Sequence, residues 1–155
     1  RDEAGGDPVQ PAAGRHPVAA VAMMDRIIAG TESDPLYRQL LEAAHSPAGA
    51  GQADTAQAVC CAMRRAAGLV RAAAIVCHTS SGHTSLRAAR ERPDAPILSL
   101  TPSRAAARRL TLAWGVHSVH LDDVPQASQM TELACEWARR EGLARCGEPL
   151  VMVAG

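Results

Sequence analysis

Lysine and phenylalanine are both absent from this chain of 155 residues, and aromatic side chains make up only 2% of it. Every basic residue is therefore an arginine. The core has to be built from Ala, Val, Leu, Ile and Met, small side chains that pack closely. A drift of the source genome towards Arg and Ala accounts for both absences. Net charge is missing too: 16 basic and 16 acidic residues cancel, so nothing points to a nucleic-acid or membrane surface. No apolar run approaches the roughly 20 residues a spanning helix needs. The five cysteines, Cys60, Cys61, Cys77, Cys135 and Cys146, form no Cys-x-x-Cys pair, and zinc would need clustered Cys and His at ligand spacing. An odd count without a signal-peptide pattern reads as free thiols in a reducing, cytoplasmic compartment. A start at Arg1 in place of Met reads as a cut from something longer. The length fits one domain with a real core.

What is present is organised around Thr79-Ser80-Ser81-Gly82-His83-Thr84-Ser85. It follows the apolar run Ala72–Cys77 and precedes a helix-like segment from Leu86 to Arg90. A strand entering a hydroxyl- and glycine-rich turn and then a helix is how proteins build an anion site. The first N–H groups of the helix have no intrahelical partner, and the helix dipole adds positive charge there. Gly82 permits close approach to the backbone, and Thr79, Ser81 and Thr84 can add hydroxyl donors. The competing reading makes Ser81 an ordinary helix cap without any ligand.

Along the chain, residues 1–16 read as irregular, with Gly5-Gly6-Asp7-Pro8 and Pro11. Pro17 starts a helix to Gly30, Thr31–Asp34 caps a second, and Pro35 begins it. Ser46–Gly51 reads as a linker, so residues 1–51 form an N-terminal arm and 52–155 the main domain. From there helices and strands alternate. Asp54 or Thr55 caps a helix ending near Gly68; strands follow at Ala72–Cys77, Pro96–Thr101, Val116–Leu121 and Leu150–Ala154. Between them lie the helix after Gly82, a helix capped by Ser103, and a longer one from about Gln126 to Arg140, stopped by Gly142. The pattern predicts a three-layer α/β/α fold with a mostly parallel sheet of about four to five strands. In such sheets ligands bind beyond the carboxyl ends of the strands, where the Thr79 loop falls.

The ordered series Val76-Cys77-His78-Thr79-Ser80-Ser81-Gly82-His83-Thr84-Ser85, then Arg90-Glu91-Arg92-Pro93 and Pro96-Ile97, resembles the C-terminal domain of pyruvate kinase. That family carries a T-x-S-G-[RK]-[ST]-A loop at this place. Thr101, Ala107–Leu110, Trp114-Gly115-Val116, Gly142 and Val151–Gly155 extend the similarity. Ala12–Val21 is similar to the segment joining the family's catalytic barrel to this domain. Gln10-Pro11 departs from the family's Glu-Thr, and the family's final loop and strand, past Gly155, have no counterpart.

The resemblance implies a regulatory domain that binds a phosphorylated effector at Thr79, Ser80, Ser81, Gly82, His83 and Thr84 and packs in a homo-oligomer against the parent barrel. Magnesium and potassium would belong to that barrel; no cofactor, metal site or catalytic residue is expected here. Glu141 stands where members activated by fructose 1,6-bisphosphate place an arginine. A carboxylate there would repel a second phosphate, so a sugar monophosphate or AMP is favoured. Two other readings compete. One is a stand-alone phosphate- or small-molecule-binding protein without a barrel, separable by whether a barrel is encoded in frame upstream. The other is a distinct enzyme using His78 or His83 as a base, for which no orienting carboxylate is evident. His83 fits better as a charge for phosphate when protonated, and His78 as a satisfied structural residue. His117 and His120 fall on opposite strand faces, and adjacent Asp122 and Asp123 face opposite ways.

Overall fold

The computed structural model describes residues 16–44, 54–121 and 127–154. The chain divides into two compact units, Arg1–Ser46 and Pro47–Gly155. In the first, helix α1 (Pro17–Glu32) and helix α2 (Pro35–Ala44) both begin at the prolines marked in the sequence. A proline loses nothing at a helix start, where its missing N–H would have no partner. α1 runs past Gly30, so Thr31 lies inside it and donates its hydroxyl to the Ile27 carbonyl at 2.9 Å. Capping falls to Asp34 alone, whose carboxylate accepts from the Leu36 N–H at 2.8 Å. α1 has no buried residue. The arm through residue 15, the linker at Ser46–Gly51 and the Asp122-Asp123 pair lie outside the described residues.

The second unit alternates as the sequence predicts. Its elements are α3 (Thr55–Val70), β1 (Ala74–His78), α4 (His83–Arg90), β2 (Ile97–Thr101), α5 (Arg104–Leu110), β3 (Val116–His120), α6 (Ala127–Arg140) and β4 (Leu150–Ala154). Asp54 caps α3 by accepting from the Gln57 N–H at 2.7 Å. Strand β1 starts two residues later than the apolar run suggests because the Ala72 N–H still closes α3, bonding the Ala67 carbonyl at 2.9 Å. At the far end of α6, Gly142 sits at φ 71, and the next N–H, that of Leu143, reaches back to the Ala138 carbonyl at 2.8 Å. That left-handed position is what glycine supplies after a helix.

All four strands pair in parallel, in the order β3-β2-β1-β4. The chain steps from β1 to β2 to β3, then crosses back to lay β4 on the other side of β1. The strand order therefore reverses beside β1. Both faces of the sheet are covered. Ile75, Cys77 and Ile97 pack against Met63 and Ala67 of α3 and Ala88 and Ala89 of α4. Val76, Leu98 and Leu100 project the other way, onto Ala134 and Ala138 of α6. Every residue of β1 and β2 is buried, as central strands between two helical layers must be. With phenylalanine absent, alanine makes many of the helix–sheet contacts. The fold is the expected parallel α/β sandwich, with four strands among the described residues.

Candidate functional site

The loop between β1 and α4 stands at the carboxyl edge of the sheet, on the strand beside which the order reverses. Thr79 leaves β1 buried, its N–H bonded to the Leu100 carbonyl of β2 at 3.1 Å. Its hydroxyl oxygen turns inward and accepts from the Gly82 N–H at 3.0 Å. Thr79 thus folds the loop. Gly82, at φ 87, is the residue from which α4 springs. A side chain there would be strained by its backbone angle and would sit 3.4 Å from Arg109 Nη2 and from Leu110.

The N-cap is Gly82, not Ser81, and no side chain caps the helix. Ser81 is exposed, its hydroxyl 3.5 Å from the His83 N–H, a marginal contact, and 3.2 Å from His83 Nδ1. The first bond of the helix joins the Leu86 N–H to the Gly82 carbonyl at 3.1 Å. The amides of the first turn therefore lack intrahelical acceptors, and the turn contains no acidic residue. Ser80, Ser81 and His83 are exposed and Thr84 is half-buried. Ser85, one position on, is fully buried and bonds Ser99 of β2 at 2.7 Å, fixing α4 to the sheet.

One contributor escaped the sequence reading. Arg109, in the last turn of α5, donates from Nη2 to the Ser81 carbonyl at 2.5 Å. Its neighbour Leu110 is buried and anchors that end of α5. The clue available in the sequence was weak: an arginine in the helix following the adjacent strand.

His78 departs from expectation. It shares the sheet face of Val76, is buried, and its Nε2 finds no hydrogen-bond partner among the described residues. Burial lowers its pKa, which favours the neutral imidazole. Cys77 on the opposite face is pushed up to about 12 by burial, partly offset by a hydrogen bond with Ser85. A thiol so protonated is no nucleophile. Ser81 and His83 touch, but no carboxylate bonds His83 among the described residues, so the triad arrangement that activates a serine is not assembled there.

Glu141 corrects the sequence argument most directly. α6 runs back along the sheet, so its end lies at the amino edge. There Glu141 Oε2 meets His117 Nε2 at 2.7 Å. Strands of this length span roughly 16 Å, which removes Glu141 from the Thr79 loop. His120 instead bonds the Pro102 carbonyl at 3.1 Å, so the two histidines do part as expected. The five thiols are free, Cys60 and Cys77 buried and the others exposed. Exposed Cys61 rests against the buried Glu91 carboxylate at 3.4 Å, and both burial and that carboxylate raise its pKa. No group of three or more His, Cys, Asp or Glu among the described residues could hold a metal. No described helix is long and apolar enough to cross a membrane.

Residues 57–155 match the family model described as pyruvate kinase, alpha/beta domain. The pyruvate kinase of Methylorubrum extorquens is 38% identical over 144 residues, covering 93% of this chain and 30% of that enzyme. One from Agrobacterium vitis is 40% identical over 149 residues, with coverage of 93% and 30%. Among solved structures, Cryptosporidium parvum pyruvate kinase superposes with a TM-score of 0.80 at 28% identity, over 94% of this chain and 30% of that one. The chain thus spans about 30% of the length of the relatives it matches. It belongs to the pyruvate kinase family and comprises the C-terminal α/β domain of that enzyme.

Proposed function

We propose that this domain is the effector-binding, regulatory part of a pyruvate kinase, taking a phosphorylated small molecule at Thr79, Ser80, Ser81, Gly82, His83 and Thr84. The observation that carries the reading is the start of α4. It has no side-chain cap and no acid in its first turn, and a guanidinium lies beside it. Orphan amides plus dipole plus cation favour an anion. The loop offers one cradle, which suits a sugar monophosphate or AMP. With Glu141 bonded to His117 at the amino edge, the single cradle alone disfavours fructose 1,6-bisphosphate.

Phosphoryl transfer from phosphoenolpyruvate to ADP, with magnesium and potassium, is assigned to the barrel of the parent enzyme in the cytoplasm. The apolar surface of the first unit, with Val18 82% and Ile27 60% exposed, supports contact with that barrel or with neighbouring subunits of a homo-oligomer, since large exposed apolar areas mark interaction sites.

Titration of the chain with inorganic phosphate, followed by amide NMR, tests the site. The amides of His83, Thr84 and Ser85 should shift first. Shifts scattered elsewhere, or none at saturation, would end the reading. The chain by itself should form no pyruvate from phosphoenolpyruvate and ADP. Turnover abolished by changing His78 or His83 would establish a distinct enzyme instead.

A further inference from the structure

We infer that Arg109 of α5 supplies the permanent positive charge of the anion site and holds its loop in the binding conformation. The inference rests on the reading of Thr79–Thr84 as a phosphate site and adds the group that sets its charge. The loop itself carries one basic side chain, the imidazole of His83. A guanidinium is charged at every pH a protein tolerates.

Arg109 is placed for the task from two sides. Its Nη2 bonds the Ser81 carbonyl at 2.5 Å, and the same atom lies 3.4 Å from where a Cβ of Gly82 would be. The charge thus sits against the very residue that starts α4. One N–H of five is spent on Ser81, leaving donors for a ligand. Other arginines of the domain have different employment. Arg87 binds the Asp54 carboxylate at 2.7 Å, Arg92 lies over the Trp114 ring and Arg140 over Trp137. No carboxylate pairs with Arg109 among the described residues.

The charged surroundings of His83 and Arg109 reinforce this assignment. On α3 and α4, Asp54 and Arg87 neutralise one another, and Glu91 is buried against Gln57 and Cys61. His78 projects to the opposite face of β1. Arg65, Arg90, Arg104 and Arg108 on these helices add further positive charge.

Sulfate is the probe of choice, because its charge stays constant across the range studied. Its affinity for the unmodified chain, measured by calorimetry, should change less than about twofold between pH 6 and 8.5, since guanidinium supplies the charge. Arg109→Ala should lose about tenfold or more, the effect of removing a charged hydrogen-bond donor. Arg109→Lys should keep most of the affinity and the flat profile, and it serves as the test if the alanine variant fails to fold. An alanine variant within about twofold of the parent would overturn the assignment while sparing the loop as a site. So would a lysine variant as weak as alanine, or a parent whose affinity changes severalfold between pH 6 and 8.5. No sulfate or phosphate binding by the parent at all would bring down both readings together.

Discussion

At the carboxyl ends of the strands, polar groups are left with capacity to spare; at the amino ends they are matched within the chain. The first end holds the uncapped start of α4, the Arg109 guanidinium and the Nε2 of His78, which has no partner among the described residues. The second holds His117 closed onto Glu141, and a cavity of about 320 Å³ lined by Ala67, Arg71, Asp94 and Pro96 among others. The amino edge has the cavity, and the carboxyl edge has the unspent hydrogen-bond donors. Parallel strands impose this polarity, because every helix that follows a strand starts at the carboxyl edge and points its free amides there. A concave shape alone is a poorer guide than the direction of the backbone.

Loosening the core beneath the carboxyl edge should have the largest effect. Leu100 is buried on the α6 face and pairs in register with His78. Leu100→Ala should cost about 2–5 kcal/mol, read from the urea unfolding midpoint.

Gly82→Ala attacks the edge itself. Forcing an L-residue to φ 87 costs about 1–2 kcal/mol, and the new methyl meets Arg109 and Leu110 at 3.4 Å. Phosphate binding by titration should drop far more than stability does. An unaffected affinity would mean the anion sits elsewhere.

A subtler contrast emerges on acidification. The pKa of His78 is lowered by burial, so in acid the unfolded chain takes up a proton that the folded chain refuses. Stability from this group is intact above the unfolded value of 6.5 and declines as pH falls below it, down to the depressed folded value. His78→Leu should flatten the stability profile over that window in urea melts repeated at several pH values. An unchanged profile would show that the imidazole finds a partner in solution.

The smallest effect belongs to the amino edge. Glu141→Arg breaks a half-exposed pair with His117, worth about 0–1 kcal/mol. At roughly 16 Å from the loop, beyond the Debye length of about 8 Å at physiological salt, it should leave the relative affinities for fructose 1,6-bisphosphate and a monophosphate unchanged. A gain in bisphosphate affinity would restore Glu141 to the site.

How far the sequence led depended on how local each signal was. The strand–turn–helix around Gly82, the Asp54 and Ser103 caps and the glycine stop after α6 all lie within a few residues of their effects, and each was readable. Serine outranks glycine as a generic cap, so Ser81 looked right until the backbone put Gly82 in the left-handed region. Arg109 lies 28 residues from Ser81, and their meeting depends on how α5 packs beside α4. Glu141 was misplaced for a different reason. Its position in the resemblance was taken as its position in space, although the antiparallel run of α6 already sends it to the far edge. His78 looked satisfied because buried polar atoms nearly always are.

The alanine-lined contacts of α4 and α6 bear on how firmly a ligand would be met. Alanine has no rotamers to freeze, so these particular contacts carry no side-chain entropy cost. Alanine also has no side chain that could rearrange beneath the helix. Ala88 and Ala89 therefore hold α4 in one seat, with the Ser85–Ser99 bond as its pin. An anion arriving at its first turn finds amides already oriented. Such preorganisation lowers the ordering cost of binding, and would help the loop proposed as the anion site compete with water.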